Sequence, residues 1–596
     1  MTAADLELDL GGLTVAELRA AGPERLGHLA RAARDLVVRS VAARGGHLGP
    51  NLGVVELTFA LHRVFDSPED VLLWDTGHQS YIHKVVTGRA ERFASLRALG
   101  GLSGYPCRTE SEHDWVENSH AGTSLSYAAG LATAFRLAPD GAGTRRRRVV
   151  AVIGDGALTA GMAMEALNDI VDRGLDVVVV LNDNARSYAP TTGAVAQLLA
   201  ELRAGGRERS ASVLGCRYLG PVDGHDVAAT ERVLSTARDT TGPVIVHVVT
   251  RKGEGYAPAE RDQVDHLHGV GPFDADTGTA AAGPAGRRPA GDVLNETLCE
   301  LAAADDRVVV VAAAMTSASG LDPFTQRYPG RILDVGIAEQ HAVTLAAGLA
   351  MAGMRPVVAI HATFLGRAFD QLLFDVGLHD LPVVFVADRA GITGGDGPSH
   401  HGLLDVALLR HVPGAAVATP SDAAEMTALL RAAVERPGPT LVRYHRNLPE
   451  GRPGAGPGEL PAPHWAWDGT SGDVLLVAAG EMTAVSAAAA ERLADAGLRV
   501  SRANARWLHP VDDRLAEVAA AHRLVVTVED HCRAGGLGTA VLETLSDAGV
   551  HVPVVRCGVP VGYLPHGDVP SLRASSGLDP EAVAARVLAA LDAGRS

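Results

Sequence analysis

The chain has 596 residues, 47% of them hydrophobic and 21% charged, with a formal net charge of −17. That length calls for roughly three or four domains, each with an ordinary soluble core. The acidic balance argues against nucleic acid or an anionic membrane surface as the main partner. Five scattered cysteines without metal-ligand spacing exclude a disulfide framework and fit a reduced, cytoplasmic setting.

The opening MTAADLELDLGG is acidic and has no apolar centre, so no signal peptide is expected. No apolar run has the length of a bilayer span. Pro23 opens a predicted helix with Leu26, Leu29, Ala33, Leu36 and Val37 at helical spacing, closed by Gly45 and Gly46. The continuous apolar runs VLLW before Asp75, VVAVI before Gly154, VVVVL before Asn182 and VIVHVV before Thr250 alternate with helical stretches, which predicts a parallel sheet covered on both faces. TRRRR at residues 144–148 abuts one of these strands and reads as a solvated loop.

The stretch DTGTAAAGPAGRRPAG loses periodicity and reads as a linker. A second alternating block follows with RVVVVAAA, PVVAI, PVVFVA and TLVRY, then the break PEGRPGAGPGELPAP and a third block opening at DVLLVAAG. The expectation is three doubly wound α/β domains with mainly parallel sheets, at 1–275, 291–455 and 472–596, joined by linkers at 276–290 and 456–471.

Within the first block, Asp155 ends one strand and Asn184 the next. Residues beyond the carboxyl ends of neighbouring parallel strands converge on one crevice. An Asp and an Asn offer hard oxygen donors, and Gly154 and Gly156 let the backbone approach a bulky anion, so a Mg²⁺-bridged diphosphate is the simplest guest.

GGHLGPNLGVVE, WDTGHQSYIHK, GGLSGYP, PVDGHD and RKGEGYAPAE in the first block, with DVGIAEQHAV, TFLGRAFDQ and DRAGITGGDGPSHHG in the second, together resemble the 1-deoxy-D-xylulose-5-phosphate synthase family over nearly the whole chain. That resemblance implies a transketolase-like fold, thiamine diphosphate and Mg²⁺ as cofactors, pyruvate and glyceraldehyde 3-phosphate as substrates, and a homodimer. It implies that Asp155, Asn184 and the carbonyl of Arg186 hold the metal. His78, Ser119, His120, Ala121, Gly154, Gly156, Ala157, Lys252 and Tyr256 would surround the cofactor. Glu339 would hydrogen-bond the aminopyrimidine, with a raised carboxyl pKa suited to sharing a proton, and Phe364 would stack on that ring. His47, His268 and His400 join Glu339 as catalytic candidates, since imidazole binds substrate and moves protons at neutral pH. Arg389, Arg446, Arg367, His361 and Asp396 are the substrate-binding candidates, the guanidinium being suited to phosphate. His113, His341 and His401 are expected to be structural.

Three departures bear on the acceptor. His361 and Ala362 stand where the family commonly has tyrosine and serine, and YHRN keeps Arg446 but places His445 and Asn447 beside it. The span after Asn184 is also shorter than usual, with Arg186 in place of methionine. An imidazole at 361 is expected to strengthen phosphate binding only while protonated, so acceptor affinity should fall as pH rises past about 6.5. A carboligase with another aldehyde or ketose acceptor is therefore an alternative. A non-catalytic regulatory relative is another, against which the retention of Asp155, Asn184 and Glu339 speaks.

Overall fold

The computed structural model describes residues 10–137, 147–205, 215–283, 285–451 and 465–593. It divides into two compact units: the first holds the chain up to Ala282 with Gly336–Ala338 and Gly395–Ser399, the second holds Gly283–Val335, Glu339–Gly394 and the chain from His400 on. Residues 144–146 of the TRRRR run lie outside the described residues, as does most of the second linker. Arg147 and Arg148 are described and are structural. The Arg147 guanidinium lies 4.5 Å over the Phe135 ring, and Arg148 donates to Thr240 O at 3.0 Å.

The first unit is built on a parallel sheet of β1 (Val71–Trp74), β2 (Val149–Gly154), β3 (Val177–Asp183), β4 (Arg217–Asp223) and β5 (Val244–Val249), in spatial order β1-β2-β3-β5-β4. Because side chains alternate along a strand, Val149, Ala151 and Ile153 pack on one face against the helices Ser124–Leu137 and Gly161–Asp172. Val150 and Val152 pack on the other against Val55–Val64 and Val227–Asp239. Each such fully buried Val, Leu or Ile contributes roughly 1.5–3 kcal/mol. The helix Pro23–Arg44 has Pro at its first position and ends at Gly45, whose φ of 74° suits glycine.

In the second unit β6 (Arg287–Pro289) pairs antiparallel with β13 (Asn447–Pro449). The expected linker 276–290 thus contains a short strand, because Arg287 reaches Asn447 O and Leu448 is fully buried beside it. A seven-stranded sheet runs β17-β11-β12-β10-β9-β7-β8, formed by β7 (Val308–Ala312), β8 (Ile332–Asp334), β9 (Arg355–His361), β10 (Val384–Asp388), β11 (Ala416–Ala418), β12 (Thr440–Arg443) and β17 (Trp507–His509). It is parallel except for β17, which comes from the third sequence block and joins antiparallel to β11. Trp507 explains the crossing: its side chain is fully buried in the core of this sheet, and its carbonyl accepts from Trp465 Nε1 at 2.7 Å. The last sheet, β14-β16-β15-β18-β19, comprises β14 (Ala466–Asp468), β15 (Val474–Ala478), β16 (Val500–Asn504), β18 (Leu524–Cys532) and β19 (Val554–Val559), parallel apart from β14. Among the described residues no helix is long and apolar enough to cross a membrane.

Candidate active site

In the first unit β2 and β3 lie side by side, so Asp155 and Asn184 leave the sheet at the same edge. The Asn184 N–H approaches Asp155 Oδ1 at 3.4 Å, and the Thr191 hydroxyl donates to Asp155 Oδ2. Asn184 Oδ1 accepts from the Arg186 N–H at 3.2 Å, and the Arg186 guanidinium donates to Val264 O at 2.7 Å. A Cβ at Gly156 would come within 2.9 Å of the Ser187 side chain, so only glycine fits there, whereas Gly154 faces open space.

The two aspartates of this edge differ. Asp183 receives Arg203 at 2.6 Å, His247 at 2.8 Å and the Ala185 N–H at 3.0 Å. Burial alone would raise its carboxyl, but His247 and Arg203 outweigh that and hold it below the usual range. Asp155 has no such company. Burial, with the Asp183 charge adding to it, pushes its carboxyl up to about 7. A buried acid short of positive charge, beside the Asn184 backbone and a glycine open to close approach, offers an oxygen donor that a small divalent cation could use.

A second group surrounds these residues. Asp75 accepts from the N–H groups of Gly122 at 2.8 Å and Ser124 at 3.0 Å, which fixes the turn carrying Ser119, His120 and Ala121. His120 Nε2 lies 2.8 Å from Ser399 O, and the Ser119 and Ser399 hydroxyls are hydrogen-bonded. His47, His78 and His268 come together, with ring centroids 5.5 Å apart for His47 and His78, and 5.2 Å for His78 and His268. Lys252 Nζ is 2.7 Å from His268 Nδ1, and burial lowers its ammonium to about 7. Tyr256 stands apart: its hydroxyl donates to Ala275 O at 2.8 Å and its ring packs on Phe273. Ala157 opens a single 3₁₀ turn beside Gly156.

Some positioning residues escaped the sequence reading. Asn51 donates to His47 O and to His78 O, both at 2.7 Å, and accepts from the Tyr81 N–H. Arg97 donates to Asp396 at 2.7 Å and to Gly395 O at 3.2 Å, fixing that glycine-rich segment. Tyr188 stacks on His268. Asn51 lies inside a motif already singled out, so its buried amide had a signal; Arg97 and Tyr188 had none.

In the second unit His361 ends β9 and Asp388 ends β10, paired in register. Arg389 follows with φ 56°, a left-handed backbone that non-glycine residues hold only where their surroundings impose it. Glu339 opens the helix Glu339–Met351 and is only 6% exposed. Burial raises its carboxyl, and Arg367, 3.6 Å away, offsets this only in part. Phe364 stacks on His361 at 5.8 Å and meets His400 edge-on at 5.7 Å.

His361 corrects one expectation. Both ring nitrogens are buried without a hydrogen-bond partner, and Asp388 Oδ2 lies 3.6 Å from Nδ1. Burial, with Arg389, His400 and Arg446 adding positive charge, drives its pKa well below the usual range. It is therefore neutral throughout the physiological range and does not titrate near 6.5. His445 is also neutral, lowered by burial to about 4, and faces Asp530 at 3.5 Å and Glu481 at 3.9 Å. Arg446 is exposed, and its carbonyl accepts from the Ala290 N–H. His113 bonds the Ser67 hydroxyl, His401 bonds Pro565 O, and His341 is exposed.

The chain matches the family model for 1-deoxy-D-xylulose-5-phosphate synthase at residues 13–212 and 207–250, that for the transketolase pyrimidine binding domain at 289–450, and that for the transketolase C-terminal domain at 464–583. It is 48% identical to the 1-deoxy-D-xylulose-5-phosphate synthase of Mycolicibacterium gilvum, over 95% of this chain and 96% of that protein. It is 47% identical to that of Mycobacterium tuberculosis H37Ra, over 96% and 95%. The solved transketolase of Leishmania mexicana is 18% identical, over 94% of this chain and 96% of that chain, with a TM-score of 0.44. Three family models matched in order, together with near-half identity along almost the full length, establish that the chain belongs to the 1-deoxy-D-xylulose-5-phosphate synthase family.

Proposed function

We propose that the chain condenses pyruvate with glyceraldehyde 3-phosphate, with loss of CO₂, to give 1-deoxy-D-xylulose 5-phosphate, a precursor for isoprenoid, thiamine and pyridoxal biosynthesis. The observation that carries this reading is the near-half identity, along almost the full length, to relatives that are 1-deoxy-D-xylulose-5-phosphate synthases, and the two buried acids Asp155 and Glu339 suit it. Asp155, Asn184 and the Arg186 carbonyl hold Mg²⁺. Gly154, Gly156 and Ala157 present backbone to the diphosphate, with Ser119, His120, Ala121, His78, Lys252 and Tyr256 around it. When bound, thiamine diphosphate supplies the carbon centre that accepts and releases the electrons of decarboxylation. Glu339 holds a proton at its carboxyl against the pyrimidine ring, on which Phe364 stacks. His47, His268 and His400 bind and orient the reacting oxygens, and Arg389, Arg446, Arg367, Asp396 and His361 receive the phosphorylated acceptor.

We assign three domains, 1–275, 291–455 and 472–596, with connections at 276–290 and 456–471, and place the protein in the cytoplasm as a homodimer. Supporting the second copy, Phe374 (51%), Leu378 (73%) and Leu404 (60%) expose large apolar side chains in the second unit. A second reading, with another aldehyde or ketose as acceptor, draws on the neutral, unpartnered imidazole of His361. Product identification with pyruvate and a panel of phosphorylated and unphosphorylated acceptors separates the two. Formation of 1-deoxy-D-xylulose 5-phosphate supports the first, and its absence alongside another ketose supports the second.

A further inference from the structure

Tyr188 lies on the loop after β3, two residues beyond Arg186. Its ring is stacked face to face on His268, with centroids 3.8 Å apart and planes within 16°. His78 is nearly parallel to the same imidazole at 5.2 Å, and His47 meets it edge-on at 5.9 Å. The backbone beneath His268 is also constrained. His266 and Leu267 both have positive φ, 54° and 51°, a state that persists only where contacts over-determine it. Those contacts are Asp262, which accepts from the N–H of Leu267 at 3.0 Å, and Asp265, which accepts from the N–H of His268 at 3.2 Å.

Lys252 decides which ring nitrogen carries the proton. Its Nζ is 2.7 Å from His268 Nδ1 and 2.6 Å from Ser187 O. As an ammonium Lys252 has only protons to offer, so Nδ1 accepts and the imidazole proton sits on Nε2. The competing approach of Nδ1 to Ser187 O is longer, 3.2 Å, and that carbonyl already accepts from Lys252. Among the described residues no hydrogen bond occupies His268 Nε2.

We infer that Tyr188 is a positioning residue which, with Lys252, fixes His268 as a neutral Nε2–H donor aimed at the carbonyl oxygen of the 2-oxo acid substrate. The identity of that substrate rests on the synthase reading above, while the stack and the tautomer rest on geometry. In this arrangement His268 polarises the oxygen. Loss of the Nε2 proton would leave an imidazolate unless Lys252 handed a proton to Nδ1 along the same 2.7 Å contact, so His268 acts first as a hydrogen-bond donor.

The test is ¹⁵N spectroscopy of histidine-labelled full-length protein, with and without thiamine diphosphate and Mg²⁺, the His268 signals being assigned by their loss in His268→Gln. Wild type and Tyr188→Phe, which keeps the ring, should both show a pyridine-type Nδ1 and a pyrrole-type Nε2. Tyr188→Ala removes the stack that keeps the ring against Lys252, so the freed imidazole should average the two tautomers and lose roughly tenfold to a hundredfold in kcat, the scale of a misplaced catalytic group, with KM for pyruvate moving far less. Tyr188→Leu fills the space without a π face and should behave like Tyr188→Ala at wild-type thermal stability. A pyrrole-type Nδ1 in the wild type, or Ala and Leu variants with unchanged tautomer and kcat, overturns the inference. Absence of 1-deoxy-D-xylulose 5-phosphate from wild-type reactions overturns the synthase reading and leaves the tautomer signature standing, so the two fail separately.

Discussion

Asn51 offers a sharp test of how the histidine cluster is held. Its side chain is fully buried, its amide nitrogen donates to His47 O and His78 O at 2.7 Å each, and its oxygen accepts from Tyr81 N–H at 2.9 Å. Asn51→Asp keeps the shape and removes both donors, leaving two buried carbonyls facing a carboxyl. A hydrogen bond contributes roughly 0.5–1.5 kcal/mol net, and a buried group left without a partner costs about 1–3 kcal/mol, so the variant should lose about 3–5 kcal/mol. The urea transition reported by Trp74 and Trp115, both in the first unit, should move down accordingly. Turnover should fall about a hundredfold, because both histidines hang from the backbone that Asn51 clamps. An Asn51→Asp protein within about 0.5 kcal/mol of wild type and with full turnover would refute the clamp.

Glu56 gives a stability prediction with a definite pH sign. Burial would raise its carboxyl, but His225 and the paired contacts of Arg34, both 2.7 Å, hold it at about 2 against an ordinary value near 4.5. The stabilisation is full above pH 4.5 and is lost as pH falls towards 2. Glu56→Gln should therefore lower stability at pH 7 by about 3 kcal/mol, a gap that narrows as the pH is lowered below 4.5; a gap independent of pH would contradict this. Glu339→Gln should bind cofactor normally by calorimetry yet lose roughly 10²–10⁴ in turnover, and near-normal turnover would remove Glu339 from its role. Because His361 stays neutral, the pH profile of acceptor KM between 6 and 8 should be the same in wild type and His361→Gln; a step near 6.5 present only in the wild type would restore the titrating imidazole. Arg389→Ala and Arg446→Ala should each weaken use of a phosphorylated acceptor about tenfold to a hundredfold, at roughly 1.5–3 kcal/mol per charged contact, and sparing of glyceraldehyde 3-phosphate over unphosphorylated glyceraldehyde would argue against a phosphate site.

The parallel sheets were legible because strands buried on both faces read as unbroken valine and leucine runs, as in β2 and β3. β17 was not, since three residues have no periodicity and their place depends on burying Trp507 in a sheet built by a distant segment. The meeting of Asp155 and Asn184 at one sheet edge was legible because two strand ends converge whatever lies between them. Which aspartate of that edge is neutralised was not, because the answer comes from Arg203 and His247, 20 and 64 residues beyond Asp183. His361 shows the same limit: its residue type was plain, but its protonation state depends on burial and on charges brought in by Arg389 and Arg446.

If Asp155 is the buried acid around which Mg²⁺ and the diphosphate assemble, calorimetric titration of thiamine diphosphate reads its role without intervening chemistry. With Mg²⁺ present the wild-type protein should bind tightly, chelation should abolish that binding, and Asp155→Ala should show none while unfolding at a temperature no lower than the cofactor-free wild type. Unchanged, Mg²⁺-dependent affinity in Asp155→Ala would contradict it.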